Sequence, residues 1–127
     1  MNRDTMSFDI IGVGCGVATL STVLQLLKRV KSEPAGSMQA PTVLIIDKGM
    51  SVGAHNLSGA VVDPGPLAEL LTPEEFAGLP KFTTVKSESF QFLTPGGSMQ
   101  VPWMPKSMRA EGYPIVSLSE LTRYLAG

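Results

Sequence analysis

The chain has 127 residues, 43% of them apolar, with ten basic residues against eleven acidic ones. That length allows one domain and excludes a multi-domain enzyme. A net charge of -1 leaves no basic surplus for binding nucleic acid or an anionic membrane surface. One cysteine and one histidine exclude a disulfide framework within the chain and argue against a metal site, zinc included.

An uncharged apolar run extends from Ile10 to Leu27. It is just long enough for a transmembrane helix, so a membrane span is one hypothesis for it. However, its glycines cluster at one end, and the acidic residues that precede it do not suit a signal peptide. We favour a strand over 8–13, a glycine turn, and a helix over 18–30 whose apolar residues recur at helical spacing.

A second short strand is predicted after this helix. Residues 32–41 are dense in Gly, Pro and Ser and predict a loop, whereas the β-branched run 42–46 predicts a strand. A wholly apolar strand that follows a helix is typical of a parallel strand buried on both faces. Residues 7–47 therefore predict a βαβ unit, which should have a right-handed crossover.

Capping signals predict two short helices in the middle of the chain. Residues 50–59 carry two glycines and predict an extended loop. Asp63 is a predicted N-cap, with Pro64 in the first helical position. Thr72 opens a capping box for a second helix, which Gly78 should stop.

The last third of the chain predicts a hairpin, a strand and a helix. Phe90 and Phe92 alternate with other residues in 90–94, a turn follows at 95–97, and 99–101 could return alongside. Residues 115–118 predict a short strand. Ser119 is the predicted N-cap of a last helix.

The glycine turn after the first strand is the candidate for a dinucleotide site. Gly14 would make the tight turn, Gly16 would let a pyrophosphate approach the backbone, and the helix N-terminus would attract the phosphates. Thr19 stands where the third glycine of this pattern is usual, which should push the helix away from the sheet or weaken ligand packing. Asp47 ends the next strand, where an acid accepts hydrogen bonds from a ribose. The alternative is a βαβ unit whose glycines only pack.

Several segments resemble one family. Residues 8–16 (FDIIGVGCG) are similar to the opening of FAD-dependent oxidoreductases. The segments 47–49 and 53–64 (GAHNLSGAVVDP) resemble electron transfer flavoprotein–ubiquinone oxidoreductases and the related FixC-like and geranylgeranyl-reductase-like flavoproteins. The segments 90–94 and 112–118 follow the same family in order, so the resemblance extends over nearly the whole chain but only the N-terminal portion of the family's protein.

The resemblance implies an α/β fold, namely the start of an FAD/NAD(P)-binding Rossmann-like domain with a β-hairpin excursion. The domain would be incomplete, and a C-terminal part or a second chain would complete it. Its parts would be a βαβ unit (7–47), a flavin-proximal loop (49–63), an irregular and hairpin region (64–114) and a strand–helix unit (115–126).

The resemblance also implies the chemistry. The family's proteins use FAD to pass electrons from reduced electron transfer flavoprotein, through an iron–sulfur cluster, to ubiquinone at the membrane. The four cysteines of that cluster have no counterpart here, because Cys15 is the single cysteine. We therefore expect an FAD-dependent oxidoreductase portion that is inactive by itself, located in the cytoplasm or peripherally on the inner face of a bacterial membrane.

Site residues carried over from the family all concern FAD binding, and no side chain is assigned a catalytic role. Those of the pyrophosphate turn are Gly14, Cys15, Gly16, Val17 and Ala18. Those of the ribose position and the flavin-proximal stretch are Asp47, Lys48, Ser58 and Gly59.

Other functions and roles stay open. The chain could be a degenerate, non-catalytic nucleotide-binding module, or part of another FAD-dependent reductase or monooxygenase of the geranylgeranyl-reductase-like type. We interpret Cys15 as a small residue lining the turn and His55 as a residue that forms hydrogen bonds within its loop. Trp103, between two prolines, is predicted to pack under a loop.

Overall fold

The computed structural model describes residues 4–34, 37–81 and 83–127, with the backbone alone at Ser58. The architecture is mixed α/β. In chain order its elements are β1 (Ile10–Val13), α1 (Val17–Ser32), β2 (Val43–Ile46), β3 (Ser58–Val61), α2 (Pro64–Leu70), α3 (Pro73–Ala77), β4 (Thr83–Thr84), β5 (Phe90–Thr94), β6 (Gly97–Val101), a 3-10 turn (Lys106–Met108), β7 (Pro114–Ser117) and α4 (Leu118–Ala126).

The first three elements form the predicted βαβ unit. β1 and β2 pair in parallel, with Ile10 opposite Val43 and Val13 opposite Ile46, and α1 connects them. The uncharged run is therefore divided between a strand and a helix, as the favoured interpretation predicted. Among the described residues, no helix combines the length and the apolar character needed to cross a membrane.

The prediction that β2 is buried on both faces is wrong. The side chain of Ile46 is 47% exposed, and that of Val13 in the neighbouring strand is 80% exposed. α1 covers one face, where Thr19 lies over Gly12. The other face, which carries Val13 and Ile46, is open to solvent.

A second sheet joins distant parts of the chain. β7 lies in its centre and pairs antiparallel with β3 on one side and with β4 on the other. The predicted loop over residues 50–59 therefore ends inside a strand, since β3 begins at Ser58. Gly59 has a φ of +82°, and the β3–β7 register shifts at this point, as in a β-bulge.

The core lies between α1, α2, α4 and β7. Val116 of β7 and Leu121 of α4 are almost completely buried. The buried apolar side chains are Leu20, Leu67, Leu70, Leu71, Val116, Leu121 and Leu125. Leucine side chains of α1, α2 and α4 therefore pack together with β7 in one core.

Both predicted caps of the short helices are confirmed. The Asp63 carboxylate accepts the Gly65 N–H at 2.9 Å and caps α2. In α3, the Thr72 hydroxyl accepts the Glu75 N–H at 3.3 Å, and the Glu75 carboxylate accepts the Thr72 N–H at 2.8 Å. α3 ends at Gly78, as predicted.

The prediction that Ser119 caps the last helix is wrong. α4 begins directly after β7, so its N-cap is Ser117, whose hydroxyl accepts the Glu120 N–H at 3.4 Å. Ser119 lies inside the first turn. Its hydroxyl donates to the Gly53 carbonyl at 2.8 Å instead.

The predicted hairpin is confirmed, with β5 and β6 paired from Phe90–Val101 to Thr94–Gly97. It forms a separate two-stranded sheet, and all of β5 is exposed. The prediction that Trp103 packs under a loop is wrong, because its side chain is 69% exposed. Trp103 follows a hairpin that stands away from the core.

Candidate functional site

The glycine turn connects the end of β1 to the start of α1. Gly14 has a φ of +95°, a conformation that L side chains rarely adopt, and its N–H donates to the Ile46 carbonyl at 2.7 Å. This bond attaches the turn to the end of β2. A Cβ built on Gly14 or on Gly16 would meet no other described atom within 4 Å, so the space over the turn is open.

The N-terminus of α1 carries the features of an anion site. Gly16 is its N-cap and provides no side-chain hydrogen bond, and the first turn contains no acidic residue. The first intrahelical bond runs from the Leu20 N–H to the Gly16 carbonyl at 3.0 Å. The N–H groups of Val17 and Ala18 therefore precede the hydrogen-bonded ladder, at the positive end of the helix dipole.

Asp47 connects the second strand to the glycine turn. One carboxylate oxygen, Oδ2, accepts the Cys15 N–H at 2.6 Å, and the other, Oδ1, accepts the Gly49 N–H at 2.6 Å. These two backbone donors hold the pKa of the Asp47 carboxyl below its ordinary value of 3.8, and the nearby charges of His55 and Lys48 lower it further. Asp47 therefore carries a negative charge at neutral pH and fixes the shape of the turn.

A cavity of about 410 Å³ opens at the ends of β1 and β2. It is lined by Val13, Gly14, Ile46, Asp47 and Lys48. Three of the residues assigned from the family resemblance thus share one cavity, at the carboxyl ends of parallel strands. Open α/β sheets commonly bind their ligands at this edge.

The other assigned residues are divided between two places. Cys15 is half-buried in the turn, with its N–H already bound to Asp47, and the next three residues (Gly16, Val17 and Ala18) lead into α1. Gly59 lies in β3, in the antiparallel sheet, and does not line the cavity beside Asp47. The Ser58 side chain lies outside the described residues.

Thr19, which replaces the usual third glycine, fits against the sheet because the strand provides the space. The Thr19 methyl carbon lies 2.7 Å from the point that a Cβ on Gly12 would occupy. The absence of a side chain at Gly12 therefore provides the room that Thr19 needs against the sheet. The sequence predicted Gly12 inside the first strand, 8–13, and assigned this glycine no packing role of its own.

The turn that contains His55 also adjoins the site. A Cβ on Gly49 would lie 3.5 Å from the Cβ of Ala54, and Gly49 is bound to Asp47. The charge of the exposed His55 side chain contributes to the lowered pKa of the Asp47 carboxyl. No hydrogen bond of the His55 side chain is found within the described residues, and the prediction that it serves its loop in this way stays a prediction.

Three curated proteins of similar sequence carry the same name. The mitochondrial electron transfer flavoprotein–ubiquinone oxidoreductase of Dictyostelium discoideum is 42% identical over 123 residues, which are 97% of this chain and 20% of that protein. The Pseudomonas aeruginosa protein of the same name is 40% identical over 99% of this chain and 23% of its own length. The mitochondrial Arabidopsis thaliana protein is 32% identical, over 98% and 19%.

No family model matches the chain, and no solved structure gives a significant match. The identity to the curated relatives nevertheless extends over nearly all 127 residues, including both strands of the parallel sheet and the glycine turn between them. The chain therefore belongs to the electron transfer flavoprotein–ubiquinone oxidoreductase family, and it spans about a fifth of the length of the curated relatives it matches.

Proposed function

We propose that the glycine turn binds the adenine dinucleotide part of FAD, as the first segment of a Rossmann-like FAD domain. The observation that carries the proposal is the order β1, Gly14, Gly16, α1, β2 and Asp47, with both ends of the pattern joined by the bond between Asp47 and Cys15. A glycine turn, an uncapped helix N-terminus and an acid at the end of the next strand are the elements that bind a pyrophosphate and a ribose.

The residues present fit this ligand. Gly14 and Gly16 leave the space over the turn open, and the N–H groups of Val17 and Ala18 would bind pyrophosphate oxygens. Asp47 would accept a ribose hydroxyl, because each carboxylate oxygen has a second lone pair beyond the one its backbone donor uses. Lys48, beside the same cavity, would add positive charge near the phosphates.

In the longer proteins of this family, we propose that this segment contributes to electron transfer from electron transfer flavoprotein to ubiquinone. FAD, when bound, supplies the redox chemistry, and the protein supplies its position and electrostatic surroundings. This chain has one cysteine, so cluster ligands would have to come from elsewhere. We therefore propose that the 127-residue chain alone does not transfer electrons to a quinone.

The open face of the parallel sheet supports an incomplete domain. Ile11, Val13 and Ile46 are exposed there, although parallel sheets normally have both faces covered. The curated relatives are about five times as long as this chain. We propose that further polypeptide of this kind covers the face, as additional strands and helices of one Rossmann-like domain.

The β5–β6 hairpin supports a second role, which is peripheral attachment to a membrane. No charged residue occurs from Phe90 to Pro105, and Phe92, Leu93, Met99 and Trp103 are all more than half exposed. An uncharged apolar hairpin tip with a tryptophan beside it is suited to the interface of a bilayer. Ubiquinone, which the relatives' names give as their acceptor, is a membrane lipid, so this position would bring a bound flavin near it.

The test of FAD binding is a titration of the purified chain followed by flavin fluorescence. We expect saturable quenching in the wild-type chain, and a loss of affinity on the order of tenfold in Gly14→Ala, because alanine is strained at a φ of +95°. Gly96→Ala is the matched control, since Gly96 lies in the distant hairpin turn with open space around it. Absence of quenching in the wild-type chain, or equal effects of the two variants, would contradict the proposal.

A further inference from the structure

Residues 51–56 form a compact turn between the parallel sheet and β3. The Ala54 N–H donates to the Ser51 carbonyl at 3.1 Å, and the Asn56 N–H donates to the Gly53 carbonyl at 3.2 Å. Gly53 is buried and has a φ of +77°. Its conformation therefore depends on glycine, and the turn has a fixed shape around His55.

The first turn of α4 contacts the 51–56 turn through Ser119. The Ser119 hydroxyl lies 2.8 Å from the Gly53 carbonyl and 3.3 Å from the Asn56 carbonyl, and it donates to the nearer of the two. The backbone approach is also close, because a Cβ on Gly53 would lie 2.7 Å from the Ser119 carbonyl oxygen. Ser119 thus contacts the residues on both sides of the pair Ala54–His55.

A second contact joins Asn56 to the same helix. The Asn56 amide donates to the Thr122 hydroxyl and, at 3.3 Å, to the Leu118 carbonyl. Thr122 has no exposed surface, and its hydroxyl donates to the Leu118 carbonyl at 2.6 Å. A hydroxyl this deeply buried is costly unless it is hydrogen-bonded, so the three groups form one satisfied network.

These contacts place the turn against the Asp47 side of the glycine turn. Ala54 lies beside Gly49, whose N–H is bound to the Asp47 carboxylate, and His55 follows Ala54 directly. The imidazole is exposed, whereas the backbone on both sides of it is fixed by α4. The charge of His55 reaches the Asp47 carboxylate and lowers its pKa.

We propose that Ser119 and Thr122 are positioning residues of the nucleotide site, which act by fixing the turn that carries His55 beside Gly49, at the edge where a nucleotide would bind. This inference rests on the proposed function and extends it, because it adds His55 as a contact of the bound nucleotide. The ligand class is the ribose–pyrophosphate part of an adenine nucleotide, whose phosphates an imidazolium attracts and whose hydroxyl groups an imidazole hydrogen-bonds.

The single histidine makes a direct test feasible, since the chain gives one imidazole Cε1–H signal, that of His55, in a proton–carbon NMR spectrum. In the free chain, we expect Asp47→Asn to shift the His55 signal, and Ser119→Ala to reduce that shift. Added ADP should shift the His55 signal of the wild-type chain. In the flavin titration, Ser119→Ala and Thr122→Val should raise the Kd for FAD by about 3- to 10-fold, as expected for one lost hydrogen bond.

The controls separate positioning from a loss of folding. Ser119→Thr and Thr122→Ser keep the hydroxyl groups and should restore the FAD affinity. Thr22→Val is the matched control for Thr122→Val, because the Thr22 hydroxyl donates to the carbonyl four residues before it, at 2.8 Å, as that of Thr122 does, whereas only Thr122 is bonded to Asn56 among the described residues. Circular dichroism at each titration temperature shows whether a variant is folded.

The outcomes for this inference and for the proposed function are distinct. An FAD-binding wild-type chain whose His55 signal is unaffected by Asp47→Asn and by ADP overturns the inference and leaves FAD binding intact. So does an unchanged FAD affinity in the folded Ser119→Ala variant. A wild-type chain that binds no FAD contradicts the proposed function. If, in that case, Asp47→Asn also leaves the His55 signal of the free chain unchanged, the positioning is overturned as well.

Discussion

The Thr19 methyl group of α1 occupies the space that a side chain on Gly12 of β1 would need, with the methyl carbon 2.7 Å from the Cβ position. Thr19 stands where dinucleotide-binding turns usually have glycine, and Gly12 is the residue that makes this substitution compatible with close packing. In the usual pattern the small residue at this contact is a glycine of the helix. Here the small residue lies in the strand and the larger one in the helix.

We predict that Gly12→Ala lowers the free energy of unfolding by about 1–3 kcal/mol, the usual cost of overpacking. The β-branched Thr19 side chain has few rotamers in a helix, which limits how far its methyl group can move from an added Cβ. When Thr19 is also replaced by alanine, the methyl group is gone, and Gly12→Ala should lower the free energy of unfolding much less. The comparison is between Gly12→Ala/Thr19→Ala and Thr19→Ala alone. Urea unfolding followed by circular dichroism measures all four chains, and a purely additive double variant would show that the two residues are not coupled.

Local signals predicted much of the fold. The caps at Asp63 and Thr72 and the stop at Gly78 were readable because each depends on neighbours within a few residues. The strand, glycine turn and helix at the start of the chain were readable for the same reason. The pairing of distant segments could not be predicted in this way. β3 is a strand because β7, more than fifty residues later, lies beside it.

The site shows the same division between local and distant interactions. The sequence predicted that Asp47 lies near the glycine turn, but not that both of its oxygens accept backbone N–H groups. Ser119 was predicted as the N-cap of the last helix. Its actual partner, Gly53, lies 66 residues earlier, and no sequence pattern connects the two.

Asp9 joins the starts of β1 and β2 through hydrogen bonds to Thr42. These bonds lead us to expect a loss of stability in acid. The Asp9 carboxylate accepts the N–H of Thr42 at 2.7 Å and the hydroxyl at 2.8 Å, and the backbone bond is the larger cause of its lowered pKa. Because the folded-state pKa lies below the unfolded one, this contribution is fully present above the ordinary value of 3.8 and is lost as the pH falls through the folded value.

We therefore predict that the urea midpoint is nearly constant from about pH 7 to about pH 5 and falls steeply below about pH 4. Asp9→Asn should make the acid part of this curve shallower, because that side chain no longer takes up a proton on unfolding. Thr42→Val, which removes the hydroxyl but keeps the backbone N–H that donates to Asp9, should have a smaller effect in the same direction. An acid slope as steep in Asp9→Asn as in the wild-type chain would contradict this assignment.

The exposed hairpin predicts binding to lipid vesicles. We expect Leu93→Ser and Trp103→Ser to reduce flotation of the chain with neutral phosphatidylcholine vesicles, because each removes apolar area from the hairpin region, where each side chain is more than two-thirds exposed. Met6→Ser is the matched control, since Met6 is equally exposed but lies outside the hairpin. Binding that is absent in the wild-type chain, or lost equally in the control, would exclude the hairpin as the membrane contact.

Because Cys15 carries the single thiol of the chain, its reaction with a thiol reagent can report whether a nucleotide covers the glycine turn. Cys15 is half-buried in the glycine turn, between two glycines over which a pyrophosphate would lie. FAD or ADP at saturating concentration should therefore slow the reaction of Cys15 with a thiol reagent, because reactivity requires access to the sulfur. Gly14→Ala, which weakens nucleotide binding, should show less protection than the wild-type chain at a ligand concentration near the wild-type Kd. The rate is followed by absorbance on release of the reagent's thiolate, and a rate unaffected by FAD in a chain that quenches flavin fluorescence would locate the nucleotide away from this turn.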